Sequence, residues 1–349
     1  LESCRWAALF VCPEGGGRMD WFEQAKQDYI PGEFGYKKIA KKYGLSPKTV
    51  ESRFLRAKKK NILFEDKRPE PTQEDIFEAY EIFKRLDKKL NELDTKQTKA
   101  RMKIPDDKPC GIAFWGDWHI GARGVNYTQF DEDKRKILET DGLYFIGMGD
   151  YKDNQNALVH ASGVTEQIAT PGMQDLIVKA VMQEVGHKAI AIVRGCHDDW
   201  DKRLGDKDFV STLCGEDVAD CVNLWHGGGI TIKLGSVDYK IRARHKYKYE
   251  SSLNTTNSQR NLLNNFGPCD VIALAHKHFP DHQELDRMGQ KVIYLRSGTY
   301  KVYDEFGQKI GGYVGQHGVP MIVIYPSKKK IVPFRELDDG ITFLRAVRE

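Results

Sequence analysis

Short apolar runs alternate with longer polar stretches between residues 110 and 325, and this alternation constrains the fold more than any other feature of the chain. The runs are 110–116, 143–148, 189–194, 230–234, 237–244, 270–275, 291–296 and 319–325. Runs this short read as strands, and the polar segments between them as helices and loops of an α/β domain. In such folds the loops at strand carboxyl ends converge on one cleft. Here those ends carry His, Asp and Cys.

Taken in order, 112–116 runs into Asp117-Trp118-His119-Ile120-Gly121, and 143–148 into Gly149-Asp150-Tyr151-Lys152-Asp153-Asn154. The run 189–194 leads to Gly195-Cys196-His197-Asp198, Arg242-Ala243-Arg244 to His245, and 271–274 to Ala275-His276-Lys277-His278. A lone His after a strand is more often structural than a ligand. Five clusters in this order are another matter. Carboxylates and imidazoles together suit zinc, iron or manganese. In the Asp117/His119 and His276/His278 pairs, alternation lets both side chains leave the same side of an extended segment.

This series resembles the calcineurin-like metallophosphoesterase superfamily, whose pattern is DxH, GDxxD, GNH(D/E), H and GHxH, over about residues 105–335. The resemblance implies an α/β fold: a β-sandwich flanked by helices, hydrolysing phosphoesters with two divalent metal ions (Mn, Zn or Fe). Two metals ~3.5–4 Å apart stabilise charge on both attacking and leaving oxygens and acidify a bridging water. By this resemblance the first metal takes Asp117, His119, Asp150 and His278. The second takes Asp150, residue 196, His245 and His276, with the two oxygens of Asp150 bridging the pair. His197 is similar to the family histidine that contacts phosphate and protonates the leaving group, and Asp198 is expected to orient it. Asp153, with Asn154 beside it, is expected to hold the loop.

The sequence departs from the family at three places. Cys196 stands where the family has Asn. A thiolate ligand there favours zinc or iron over manganese; if Cys196 fails to ligate, the second metal is weakly held. Ala275 replaces Gly before His276. His245 is followed by Lys246 rather than Gly, which leaves His226, also after a plausible strand, as its rival.

The N-terminal third has a different character. Residues 1–18 contain a short apolar stretch, Trp6–Val11, without a small-residue cleavage site. The segment Glu14–Arg18 before Met19 looks like a translated ribosome-binding site. Residues 1–18 are therefore expected to be a non-native leader rather than a signal peptide. Residues 19–61 read as a helical module, with Trp21, Phe22, Ala25 and Tyr29 at helical spacing and Pro31-Gly32 as a breaker. A helix over Tyr36–Tyr43, a left-handed Gly44, a Ser46 cap and Pro47 at the next helix start resemble a helix-turn-helix.

From 36 to 60 this module has ten Lys and Arg, with Glu51 its one acid. That field suits nucleic-acid phosphates through Lys48, Thr49, Arg53 and Arg56. A protein-docking module is the competing reading. Residues 62–104 are expected to form a linker and a long helix over about 73–102. Its Ile76, Tyr80, Phe83, Leu86, Leu90 and Leu93 suit either a short coiled coil, hence a homodimer through 73–97, or packing on its own domain. Residues 336–349 read as a tail.

Seven scattered cysteines without a CxxC pair argue against a disulfide scaffold and for a reducing cytoplasm. No apolar run approaches the ~20 residues that span a bilayer. The metal pattern does not choose a substrate. Two features lean toward DNA: the basic module, and Asp117–Gly121, which looks like the DWHLG segment of double-strand-break-repair nuclease subunits. The basic, aromatic stretch 242–260 suits a nucleic-acid strand or is an ordinary solvated loop. The expected function is a phosphodiesterase acting on DNA, encoded by a phage or mobile element. The alternatives are a phosphomonoesterase and a DNA-binding regulator with a degenerate site.

Overall fold

The computed structural model describes residues 21–28, 35–59, 71–93, 97–159, 161–205, 208–215, 217–251, 254–287, 289–309 and 315–349. The expected leader, Met19, Tyr29, Pro31-Gly32 and most of the linker lie outside these residues. The chain divides into two units, 1–93 and 94–349.

In the first unit, α1 (Trp21–Asp28), α2 (Tyr36–Tyr43) and α3 (Pro47–Lys59) bury Phe22, Ala25, Ile39, Ala40, Val50, Phe54 and Ala57 together. Gly44 closes α2 at φ 66, with its N–H donating to the Ala40 carbonyl. Only glycine takes that conformation cheaply. The Thr49 N–H donates to Ser46 Oγ at 3.0 Å, which starts α3. Helix α4 (Gln73–Leu93) opens on a reciprocal cap between Thr72 and Asp75. Its Ile76, Tyr80, Phe83, Leu86 and Leu90 are all more than half exposed.

Among the described residues the helix expected to run to 102 reaches Leu93, and Lys99–Ile104 is strand β1. Ala100, Met102 and Ile104 pack inward while Lys99, Arg101 and Lys103 face out. That period of two overrides the helix-like composition of the segment.

The second unit is a two-sheet α/β sandwich flanked by helices. In one sheet β2 (Cys110–Trp115), β3 (Leu143–Gly147), β4 (Ala189–Ile192) and β5 (Val222–Asn223) run parallel, and β11 (Met321–Ile324) and β12 (Ile331–Phe334) extend it antiparallel beside β2. In the other the order is β1, β6 (Gly227–Leu234), β7 (Val237–Arg244), β8 (Val271–Leu274), β10 (Gln290–Arg296) and β9 (Asp281–Arg287). Ile112, Phe114 and Ile146 from the first sheet meet Ile230, Ile232 and Ile241 from the second in one apolar layer.

Helices α5 (Tyr127–Glu139), α6 (Pro171–Val185) and α10 (Leu337–Arg348) are amphipathic, and their apolar stripes cover the first sheet. Residues 336–349 are therefore part of the packed core through Leu337, Ile341 and Leu344, not a loose tail. Helix α8 (Asn257–Phe266) covers β8 and β10 of the second sheet. The short turns α7 (Lys202–Gly205) and α9 (Glu305–Lys309) complete the helices of the described residues.

Candidate metal centre

The loops after β2, β3, β4, β7 and β8 meet at one edge of the sandwich and bring the predicted residues together. The loops after β2, β3 and β8 are sharply turned. Asp117, His119, Asp150, Asn154, His276 and His278 all have φ between 48° and 71°. Such conformations cost non-glycine residues about 1–3 kcal/mol each, and persist where the surrounding structure over-determines them. Glycine lets two of the loops touch. A Cβ on Gly195 would lie 2.1 Å from the Asp150 amide nitrogen.

Four groups of ligand-type atoms result among the described residues; Asp117, Asp150 and His245, and His119, Asp153 and His197, overlap two groups that share no residue. Asp117, His119 and His278 form one: His119 Nε2 lies 3.0 Å from His278 Nε2, and Asp117 Oδ1 lies 3.9 and 3.6 Å from those two nitrogens. Cys196, His245 and His276 form the other, with Cys196 Sγ 3.7 Å from His276 Nδ1. Asp150 stands between them. Its Oδ2 is 3.1 Å from His245 Nε2 and 3.9 Å from His119 Nε2. Its Oδ1 accepts the His197 N–H at 2.8 Å. One oxygen of Asp150, rather than two, thus faces both groups.

The surroundings aim these atoms. His119 Nδ1 meets Asp153 Oδ1 at 3.0 Å, and His245 Nδ1 donates to the Met148 carbonyl at 2.8 Å, so each ring turns Nε2 inward. His276 presents Nδ1 to Cys196, while its Nε2 lies 3.9 Å from Glu250. Asp153 is itself held by Lys301 at 3.0 Å and by Gln167. Glu250, Lys301 and Gln167 carry no pattern by which the sequence could have marked them. Asn154 donates to the His197 carbonyl and to Asp201.

Asp198 differs from expectation. Its carboxylate accepts the N–H groups of Asp150 and Gly195 at 2.8 Å each and of Tyr151 at 3.2 Å. It clamps the β3 and β4 loops together and does not orient the His197 ring. That ring donates from Nδ1 to the Asp153 carbonyl and stacks on Trp200 with centroids 3.9 Å apart. His226 is 56% exposed and pairs with Asp199 at 3.2 Å, outside both groups. His245 is buried beside Asp150.

The electrostatics follow from burial and neighbours. Burial would raise Asp117 and Asp150, but His278 and His245 beside Asp117, and His245 and His197 beside Asp150, hold both below the carboxylate range. Burial pushes His197 down to about 4 and, with the charge of His245, His276 down to about 3. Burial would also lower His245, but Asp150 lifts it well above the usual imidazole value. Burial and the Asp150 charge push Asp198 up to about 7 against the pull of its N–H donors.

The donor set fits divalent ions. Asp117 Oδ1 and His245 Nε2 are buried without a hydrogen bond of sound geometry, although Asp150 lies 3.1 Å from the latter. Buried polar atoms seldom go unpaired. Metal coordination would satisfy both, and would release the His245 proton.

A cleft of 670 Å³ opens over these atoms, lined by His119, Cys196, His197, Trp200, Lys246 and Lys301 among others. Lys48, Thr49, Arg53 and Arg56 lie on α3 of the other unit, exposed on its surface.

No family model matches the chain. No curated protein matches it. Among solved structures it aligns with wild-type Vps29 from Entamoeba histolytica complexed with zinc, at 13% identity over 65% of this chain and 93% of that one, with a TM-score of 0.35. It aligns with a predicted phosphoesterase from Streptococcus pneumoniae at 12% identity over 65% of this chain and 90% of that one, with a TM-score of 0.31. For Vps29 of Chaetomium thermophilum the values are 12%, 65%, 96% and 0.34.

Proposed function

We propose that the chain is a two-metal phosphoesterase that hydrolyses phosphodiester bonds in DNA. The observation that carries this reading is the pair of three-residue ligand groups on either side of Asp150. When bound, two divalent ions supply charge neutralisation at both oxygens of the scissile bond and lower the pKa of a water. Asp117, His119 and His278 would hold one, and Cys196, His245 and His276 the other, with Asp150 between. His197, fixed at Nδ1 by the Asp153 carbonyl, turns Nε2 to the cleft; burial favours its neutral form, so a bound phosphate anion would have to stabilise the imidazolium before Nε2 could hydrogen-bond phosphate and hand a proton to the leaving oxygen. Lys246 and Lys301 line the same cleft and favour an anionic substrate.

DNA is favoured over a small phosphoester by the first unit, where the short turn between α2 and α3 and the exposed Lys48, Arg53 and Arg56 suit a helix-turn-helix on a phosphate backbone. The exposed apolar row of α4 suits a second copy of the same helix.

Purified protein should be assayed with Mn, Zn or Fe on labelled DNA, on bis-p-nitrophenyl phosphate and on p-nitrophenyl phosphate. Cleavage of DNA and of the small diester is expected. Cleavage of the monoester alone defeats the diester reading, and no cleavage with any metal favours a DNA-binding regulator. Deleting residues 19–61 should weaken DNA cleavage and spare the small diester.

A further inference from the structure

The outer face of the second sheet, over β1, β6 and β7, is a cationic surface that the sequence reveals only in part: Arg242 and Arg244 belong to the basic stretch 242–260, but β1 lies more than 100 positions before β6 and β7. Strand alternation puts Lys99, Arg101 and Lys103 of β1 on this face. Lys233 of β6 joins them, as do Lys240, Arg242 and Arg244 of β7. The register sets them in rows. Lys99 stands across Gly229 from Arg242, Arg101 across Thr231 from Lys240, and Lys103 beside Lys233. Asp238, 2.9 Å from Arg101, is the one carboxylate ion-paired to these cations among the described residues.

The face is shaped as well as charged. Gly229 forms an open floor, since a Cβ there would meet nothing within 4 Å. Around that floor lies a groove of 490 Å³ between the glycines of β6 and the end of α8. The Arg242 guanidinium lies over the half-exposed Phe266 ring at 5.1 Å, and Arg244 over Tyr247 at 5.5 Å. Arg242 Nε is buried without a hydrogen-bond partner. Strand β7 ends at Arg244, His245 follows, and Lys246 lines the metal cleft. Lys240, Arg242 and Arg244 recur about every 6.7 Å along that path.

We infer that the groove over Gly229 binds a single nucleic-acid strand, with phosphates on the β7 and β1 cations and bases against Phe266, and leads it toward the metal cleft. The direction of travel rests on the phosphodiesterase reading; the binding surface does not. A row of cations with exposed aromatics is the chemistry by which unpaired strands are held without sequence preference.

Gly229→Glu tests this in the full chain, because the new carboxylate enters open space. Binding of fluorescent oligo-dT should weaken about tenfold and its salt slope fall by about one, whereas Gly229→Lys should retain binding. Oligo-dT should also protect Lys99 and Lys240 from acetylation. Protection confined to α2 and α3, equal binding by both variants, protection by duplex but not by single strand, or equal protection by polyglutamate would each overturn the inference. Hydrolysis of bis-p-nitrophenyl phosphate should be the same in Gly229→Glu and wild type. If wild type lacks that hydrolysis yet shows the protection, the phosphodiesterase reading fails and the surface stands.

Discussion

Asp198→Asn separates a clamp from a catalytic orienter. The carboxylate accepts three backbone N–H groups, two through Oδ2 and one through Oδ1. An amide of the same shape keeps the two bonds to Asp150 and Gly195 if its oxygen takes the Oδ2 place. Its NH2 then faces the Tyr151 N–H, donor against donor, in a fully buried place. One lost bond to a buried donor costs about 1–3 kcal/mol. The β3 loop carries Asp150, so part of that cost should appear as weaker metal binding, about tenfold per 1.4 kcal/mol. Urea unfolding of the metal-free protein and metal content after dialysis against a competing chelator measure the two effects. Both should fall, and turnover at saturating metal should largely recover. Unchanged stability and unchanged metal affinity, with turnover still lost, would refute the clamp and restore the orienting role.

Three further outcomes are expected. Cobalt(II)-loaded protein should show a near-ultraviolet thiolate-to-metal charge-transfer band that Cys196→Ser abolishes; its persistence in the variant would exclude Cys196 as the ligand. His245→Ala should lose one bound metal and His226→Ala neither, as read by elemental analysis; the reverse would make His226 the ligand. Asp28, which accepts from Lys42 and Tyr43 between α1 and α2, is held below its ordinary value by those two side chains. A lowered carboxylate stabilises the fold above its unfolded value near 3.8 and loses that contribution as pH falls through the folded one. Protection factors of the α1 amides, which remove the intrinsic pH dependence of exchange, should therefore fall below about pH 4 in wild type, and Asp28→Asn should show this loss of protection, by up to about 1 kcal/mol, already at pH 7.

The candidate metal centre is legible because its chemistry restricts residue types and the order of the strands restricts their sequence positions. Asp117, His119, Asp150, His276 and His278 sit where apolar runs end, and both properties are local. What aims them is not local. Glu250 comes from the loop after β7, Gln167 from the segment before α6 and Lys301 from beyond β10, and each is an ordinary polar residue until the fold brings it within reach. The backbone strain at six of these positions is equally invisible, since it depends on close approach of separate loops. In the architecture, the first residues of β1 read as a continuation of the helix because polar Lys and Arg separate its three inward residues. The sequence of β9, Asp281–Arg287, has no apolar run at all and is a strand only because β10 pairs with it. Asp198 invites the orienting role because it adjoins His197 in sequence, whereas its carboxylate points back to the backbone of the β3 and β4 loops.

The central claim is a pair of metal ions divided by Asp150. A crystal of the manganese- or zinc-loaded protein, with anomalous scattering at the metal edge and elemental analysis of the same preparation, tests it directly. The prediction is two ions per chain about 3.5–4 Å apart, one touching Asp117, His119 and His278, the other Cys196, His245 and His276, with Asp150 contacting both. A single ion, or an ion held instead by His119, Asp153 and His197, would contradict it.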